Sequence, residues 1–403
     1  MAFISFEESM KIMQRAFTKR GMTQMRFLSD AAGYVLAEDI VAMEDSPAYP
    51  TAAMDGYALK CEDQSMGRVR ILGDLPAGSI NEEEVIGGTC VKTFTGSLMS
   101  PGTDTLIPIE NVIVEGDEIV IKEEVPCGYS VRPVGENFKK GEVLIPKGTK
   151  LGFAQIGVLA SLNIPQVKVY AAPRVAVLST GSEILDVGEP QSNPSQIRSA
   201  NQFVLEALAK NAGADVLRLP LAKDDRDSIK EVMTEALRGS DILVTTGGVS
   251  VGDYDFVKEI LQEMETEYLI EGVVLKPGQH IKVVKTGGKF IFSLPGFPYS
   301  AAVTFILYVW PLIDRMRGGD GTLPIVRATL EEAYKKRSQK TEFTACNLRY
   351  EEGRYLVNLR GKKSGSSAIL TNLLGETGLL WIDKEQGDLE AGSEVDVIDL
   401  SRL

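Results

Sequence analysis

Histidine is almost missing from this chain: His280 stands alone among 403 residues. That scarcity excludes a two-histidine metal site, an HExxH helix and any mechanism needing a histidine pair. Cysteine is scarce too. Cys61, Cys90, Cys127 and Cys346 form no CxxC pair. Neither a zinc knuckle nor a disulfide framework is therefore expected, and the four are read as isolated buried thiols in a reducing compartment. Positive charge is in deficit, with 43 Lys and Arg against 56 Asp and Glu, a formal −13. Such a chain lacks the basic footprint that nucleic acid or an anionic membrane requires. Long apolar runs are absent as well. The most apolar stretch, 301–313, is too short to span a bilayer and holds Pro311, so a buried helix is expected there. No signal peptide is read, and the expectation is a soluble cytoplasmic protein with neither nucleic-acid nor membrane partners. Proton and anion chemistry must then run on Asp, Glu, Lys, Ser, Thr and backbone amides.

What is present is ordinary globular material. Hydrophobic residues make up 44% and charged residues 25%, and the length suggests two to four domains at roughly 150 residues each. Ser5 and Glu8 form a capping box before an amphipathic helix with Phe6, Met10, Met13 and Phe17 on one stripe. From 22 to about 170 the chain is rich in Gly, Pro and short β-like runs, including a hairpin over 112–121 that turns at Gly116-Asp117. A short helix is expected over 153–162. From Arg174 the texture changes. Apolar runs at 175–178, 215–219, 241–246 and 289–293 alternate with helical patterns. One of these, boxed by Ser199 and Gln202, runs to Gly213, and two more are capped by Asp227 and Asp255. Alternation of this kind predicts a parallel, doubly wound α/β sheet covered on both faces. After Gly318 β texture returns at 327–330, 355–359, 379–382 and 395–400, which predicts a β-barrel-like domain of about 80 residues. The fold class expected is thus multi-domain, with a β-rich N-terminal lobe, a central α/β domain and a C-terminal barrel.

Ligands of open α/β sheets bind outside the carboxyl ends of the strands. Those ends carry the unusual segments: Thr180-Gly181-Ser182-Glu183, Lys223-Asp224-Asp225, the stretch 245–255 and Leu294-Pro295-Gly296-Phe297-Pro298. Glycines in 245–255 let the backbone aim N–H groups outward, Thr246 and Ser250 add hydroxyls, and a helix N-terminus follows, which together suit a phosphate or oxyanion. The same glycines would also serve a plain strand–turn–helix. Glu183, Asp224, Asp225, Asp253 and Asp255 converge on this edge. Acids beside an anion cradle are awkward unless a divalent cation bridges them, as Mg2+ does between carboxylates and phosphates. Taken singly, each acid could be a cap or a solvated side chain. Lys276, at the head of Lys276-Pro277-Gly278, suits an oxyanion; a solvated lysine fits the local sequence nearly as well. Asp55 in Met54-Asp55-Gly56-Tyr57-Ala58 and Thr95 in Thr93-Phe94-Thr95-Gly96 could be turn chemistry.

The motifs MDGYA, PGTDTLIPIE, VRPVGEN, KKGEVLIPKG, STGSE, QIRSAN, TTGGVSVGDYDF, KPG and LPGFPYSA, in that order, resemble the molybdopterin molybdotransferase (MoeA) family, to which the C-terminal domain of gephyrin is also related. The resemblance covers nearly the whole chain. It implies a homodimer and four regions: a linking region from 1–45 and 138–172, a β-rich lobe at 46–137, an α/β molybdopterin-binding domain at 173–322 and a β-barrel at 323–403. It implies Mg2+-assisted insertion of molybdate into adenylylated molybdopterin with release of AMP, and no protein nucleophile. By resemblance Asp55, Thr95, Glu183, Asp224, Asp255 and Lys276 serve catalysis. Glu183, Asp224 and Asp255 are the metal-associated acids. Thr246, Gly247, Gly248, Val249 and Ser250 form the pterin-phosphate loop, and Pro295, Gly296, Pro298 and Ser367 border the site. In such dimers one subunit's lobe faces the other's α/β domain, so Asp55 and Thr95 would complete the partner's site. A molybdopterin adenylyltransferase and molybdoenzyme delivery proteins are the further partners implied. The chain departs from the pattern at Asn137, Gln279, Phe297, Ala345 and Asn347, where the family often has Asp, Lys, Asn and arginines. Lost positive charge there bears on how molybdate is held, and leaves open an adenylyltransferase-like enzyme, a tungsten-specific paralogue or a non-catalytic scaffold.

Overall fold

The computed structural model describes residues 3–17, 21–222, 225–247, 256–264, 266–363 and 366–403. It divides into two compact units, Met1–Ala37 with Lys150–Ile156 and Pro165–Leu403, and Glu38–Thr149 with Gly157–Ile164. The second unit is built on a six-stranded sheet in the order Thr105–Pro108, Gly56–Leu59, Thr89–Thr93, Arg68–Leu75, Glu118–Ile121, Val112–Glu115. Its hairpin turns at Gly116 with φ +65°, where glycine adopts the left-handed conformation without a Cβ penalty. Tyr57, Leu59, Val69, Ile107 and Ile119 fill its core. Cys61 and Cys127 are disulfide-bonded there, with Cα atoms 5.3 Å apart and 66 residues between them in sequence. This corrects the expectation of four free thiols. A pair so distant leaves no local spacing signature, and only the fold brings it together. Cys90 and Cys346 are free and buried, and burial pushes both thiols up to about 12.

In the first unit, Phe6–Ala16 is helical, and Ser5 accepts the Glu8 N–H as the capping box requires. The central sheet runs Asp215–Arg218, Arg174–Ser179, Ile242–Thr246, Lys289–Leu294, Lys282–Thr286, Glu267–Ile270. The first four strands are parallel. The sheet is not wholly parallel, because Lys282–Thr286 turns back through Gly287-Gly288 (φ +53° and +82°) and pairs antiparallel. The period-two geometry of a strand explains the two covered faces. Val175 and Val177 pack with Leu205, Val244, Phe292 and Phe305 on one side. Ala176 and Leu178 pack with Ile229, Met233, Val257 and Ile260 on the other. Each such side chain, fully buried, is worth about 1.5–3 kcal/mol.

Helix ends depart from expectation in detail. Asp225, not Asp227, caps Arg226–Gly239 by accepting the Ser228 N–H. Ala200–Asn211 has no side-chain cap from Ser199. The buried 301–313 run is helical, but as Pro298–Thr304, a π-helical turn Phe305–Val309, and Trp310–Met316. Pro311 brings no N–H and its ring crowds the preceding turn, and the widened turn just before it accommodates both.

The C-terminal barrel closes through five strands: Thr341–Glu351, Arg354–Asn358, Ile325–Leu330, Glu394–Asp399 and Thr377–Ile382, the last pairing back onto the first. Thr341–Glu351 is the longest strand and went unrecognised in sequence because polar residues interrupt its alternation. Cys346, Leu348, Val357, Leu380 and Val397 point inward. Phe343, Ala345, Leu379 and Ile398 face outward into the α/β core, so barrel and sheet share one hydrophobic cluster. Leu275–Lys276 adds to the barrel as a short parallel strand, Lys276 opposite Glu342. No described helix is long and apolar enough to cross a membrane.

Candidate functional site

Three adjacent parallel strands end together, and their exit residues touch. Thr180 follows Arg174–Ser179, Gly247 follows Ile242–Thr246, and Pro295-Gly296 follows Lys289–Leu294. Gly247 has φ +87°, and a Cβ on it would lie 2.8 Å from the Thr180 carbonyl oxygen and 3.2 Å from its Oγ1. A Cβ on Gly296 would lie 3.8 Å from the Gly247 Cα. The floor beneath is a row of buried hydroxyls. Ser179 and Thr246 share a 2.8 Å hydrogen bond, and Thr245 donates to Ser293 at 3.0 Å. Asn201, a residue of the QIRSAN motif not singled out from sequence, donates its amide to the Gly296 carbonyl at 2.7 Å. Its Oδ1 is buried without a partner among the described residues. The 294–298 turn is therefore held from below, and Pro298 opens the helix Pro298–Thr304 at its first position, where its missing N–H costs nothing.

Glu183 is exposed on the same edge. Its carboxylate folds over Gly181, with oxygens 2.8 and 3.0 Å from where a Cβ on that glycine would lie. Gly248, Val249, Ser250, Asp224 and Asp255, with Asp253, lie outside the described residues. Among the described residues no group of three His, Cys, Asp or Glu side chains could hold a metal ion. The metal-associated trio is thus represented here by Glu183 alone.

Across the Pro295–Phe297 turn lies a cavity of about 780 Å³ between the strand-end segment 275–280 and the barrel. Lys276 and Ser367 both line it, as do Gln279, Phe297 and Ala345. So do five cations on the barrel segments, Lys335, Arg337, Lys340, Lys362 and Lys363, against the two acids Glu332 and Glu342. A local excess of four positive charges in a −13 chain is the clearest electrostatic feature of the molecule. Sequence reasoning missed these cations, which read locally as charged turns; their common signal is that they cluster on either side of one barrel strand pair.

Lys276 Nζ sits 3.2 Å from the Glu342 carboxylate, whose side chain is 2% exposed. Glu342 also accepts the Tyr334 hydroxyl at 2.6 Å and the Ser338 hydroxyl at 2.7 Å. Burial works against its charge, but those hydroxyls and the ammonium outweigh burial and hold the carboxyl below its ordinary range. Lys340 donates to the Gln279 side-chain oxygen, and the Gln279 amide nitrogen lies 2.8 Å from His280 Nε2. Burial, with Lys282 and Lys340 nearby, holds His280 below its usual value. Lys362 is turned inward onto the Asn372 and Leu374 carbonyls at 2.8 and 3.0 Å. Tyr299, buried beneath the cavity, donates to the Phe343 carbonyl at 3.0 Å and accepts the Ala345 N–H at 2.8 Å. The Ser367 carbonyl accepts the Ser300 N–H at 3.3 Å. Gly278 has φ +101°, and a Cβ there would strike the Thr304 methyl at 2.2 Å, so the turn after Lys276 has no room for a side chain. Asn347 lies off the cavity, donating to Asn358 at 2.8 Å.

In the other unit, Asp55 and Thr95 are brought together although 40 residues separate them. Asp55 Oδ1 accepts both the backbone N–H and the hydroxyl of Thr95 at 2.8 Å. Those two bonds hold the exposed Asp55 carboxyl below its ordinary value. Asn137 accompanies them in that unit, its N–H donating to the Ser46 carbonyl at 2.8 Å.

Comparison with known proteins gives these geometries a setting. Residues 4–163 match the MoeA N-terminal region (domain I and II), 176–315 a probable molybdopterin binding domain, and 327–400 the MoeA C-terminal region (domain IV). A molybdopterin molybdenumtransferase of Staphylococcus epidermidis is 31% identical over 379 residues, covering 92% of this chain and 90% of its own. One from a Nostoc species is 31% identical over 389 residues, covering 94% and 89%. The crystal structure of a molybdopterin biosynthesis MoeA protein from Pyrococcus horikoshii superposes with a TM-score of 0.85 at 27% identity, over 99% of each chain. With three family regions matched in order from residue 4 to residue 400, and relatives above 30% identity along more than nine-tenths of its length, this chain belongs to the MoeA family.

Proposed function

We propose that the protein is a molybdopterin molybdenumtransferase. It takes adenylylated molybdopterin and molybdate, releases AMP and transfers molybdenum to the dithiolene. One observation carries this reading: the Pro295-Gly296-Phe297 turn is shared by two compartments of different character. On one side stands a glycine-lined rim of strand ends with hydroxyls below, suited to a phosphate. On the other stands a cavity with excess positive charge, suited to a free oxyanion. A transferase must bring two anions together without letting them repel each other, and a shared wall with separate recognition achieves that.

In this reading Thr246 and Gly247, with Gly248, Val249 and Ser250, hold the pterin phosphate on backbone N–H groups. Gly296 leaves room for its approach, and Pro295 and Pro298 fix the wall. Lys276 and Ser367 border the oxyanion compartment. Glu183 offers an oxygen donor of the kind Mg2+ prefers at that edge, and Asp224 and Asp255 would complete its set. Bound there, the ion would neutralise phosphate charge. The protein supplies no nucleophile; water splits the phosphoanhydride, and the residues position and screen. Asp55 and Thr95, clasped together, would complete the site of the partner subunit in a cytoplasmic homodimer of four regions per chain. A molybdopterin adenylyltransferase would supply the substrate and a delivery protein would take the product.

The test is purified protein with adenylylated molybdopterin, Mg2+ and molybdate, following AMP and dithiolene-bound metal. The expected result is AMP release dependent on both additions and matched by metal incorporation. ATP consumption without adenylylated pterin would point to an adenylyltransferase instead, tungstate accepted in place of molybdate to a tungsten enzyme, and no turnover at all to a scaffold.

A further inference from the structure

Of the two lysine positions at the cavity's strand-end wall, one is compensated and the other is empty of charge. Lys276 is paired at 3.2 Å with Glu342. That carboxylate is buried and fixed by two hydroxyls, so it stays ionised and cancels most of the Lys276 field within the cavity. Gln279 is neutral. Next to it, His280 is held toward its neutral form by burial and its lysine neighbours. The strand-end wall therefore offers an incoming dianion little net charge. Lys340 reaches the same place from the barrel side. It lines the cavity and donates to the Gln279 side-chain oxygen. Its partner is an uncharged amide, so its charge is left to act on whatever enters. The Gln279 amide, held between Lys340 and His280, works as a bracket that fixes where the ammonium stands.

We propose that Lys340 is the specificity-determining cation for the oxyanion in this protein, set in place by Gln279. The inference rests on the transferase reading only for the identity of the anion, molybdate. Charge at this wall has been moved, in effect, from the strand end to the loop entering the strand Thr341–Glu351. An oxyanion is then held between the barrel and the α/β edge, against the wall formed by Phe297 and Pro295. Arg337 and Lys335, on the same loop, raise the local potential.

The experiment measures binding of molybdate alone to the full-length protein by equilibrium dialysis. Lys340→Gln should weaken binding about tenfold, the value of one charge-assisted contact. Adding Gln279→Lys to that variant returns a cation to the same wall from the other side. It should restore affinity to within about threefold of wild type, because the charge and not the residue is what counts. A merely structural role for Lys340 would give no such rescue. Wild-type affinity in Lys340→Gln, or a double variant as weak as the single one, would overturn the proposal. The two readings fail differently. If the transferase reading is wrong, wild-type protein releases no AMP from adenylylated molybdopterin whatever its molybdate affinity. If only the Lys340 inference is wrong, AMP release is normal and Lys340→Gln binds molybdate as wild type does.

Discussion

The strand-end rim and the cationic cavity border one turn yet are made of different materials. The rim is made of backbone: Thr180, Gly247 and Gly296 meet because two of them have no side chain, and one methyl group is enough to disturb it. The cavity is made of side-chain charge drawn from residues 276, 335, 337, 340 and 363, brought together by the pairing of Lys276 with Glu342 across two domains of one unit. The first should respond sharply to small changes of volume and hardly at all to charge. The second should respond to charge and tolerate volume. That difference separates recognition of a phosphate by fixed N–H dipoles from recognition of a free oxyanion by movable ammonium groups.

The severest break should come from Gly247→Ala. Its Cβ would press on the Thr180 carbonyl in a backbone conformation L-residues avoid, so stability should fall by about 1–3 kcal/mol. AMP release should fall at least about a hundredfold, since closeness of backbone to phosphate is what the site depends on. Urea unfolding and AMP release on the same preparation separate the two losses.

Glu342→Gln comes next. It leaves the Lys276 ammonium facing a neutral amide in a half-buried wall and should cost about 1–3 kcal/mol. Freed from its partner, Lys276 should then strengthen molybdate binding a few-fold; weaker binding would contradict the compensation argument. Tyr299→Phe removes the hydroxyl bridging the Phe343 carbonyl and the Ala345 N–H. Unfolding measurements should show a loss of about 1–2 kcal/mol with molybdate affinity unchanged, because Tyr299 acts on the strand and not on the anion. The smallest effect concerns pH. His280 titrates below its ordinary 6.5, so the unfolded chain binds its proton first. The stability it permits is complete above pH 6.5 and declines as pH falls below it. His280→Asn should flatten that decline between pH 7.5 and 5.5 in urea midpoints, while molybdate binding from pH 7 to 8.5 stays level in both proteins.

The contrast also explains what the sequence could convey. Strand ends were legible because the rule that places ligands there needs only the alternation of elements and the glycines that follow them, and Thr246, Gly247 and Gly296 fall together as expected. The barrel's existence was legible from its apolar runs; its longest strand was not, because Thr344, Asn347 and Arg349 interrupt the pattern. Lys276 was legible as a cation at a strand end, but not as a compensated one, because its partner is 66 residues away. Lys340 was invisible for the same reason: its meaning depends on Gln279, which sequence alone marks only as a missing lysine. The Cys61–Cys127 pair followed that pattern too, two residues whose relation exists only after folding.

The most direct test of the division into two compartments uses Gly296→Ala. Its added methyl would lie at ordinary contact distance, 3.8 Å from the Gly247 Cα, so the fold should persist while the phosphate side is narrowed. Molybdate dialysis and AMP release are measured together on this one variant. The account predicts AMP release reduced about tenfold or more with molybdate affinity within about twofold of wild type. Equal loss of both would contradict it, because the rim and the cavity would then be a single site.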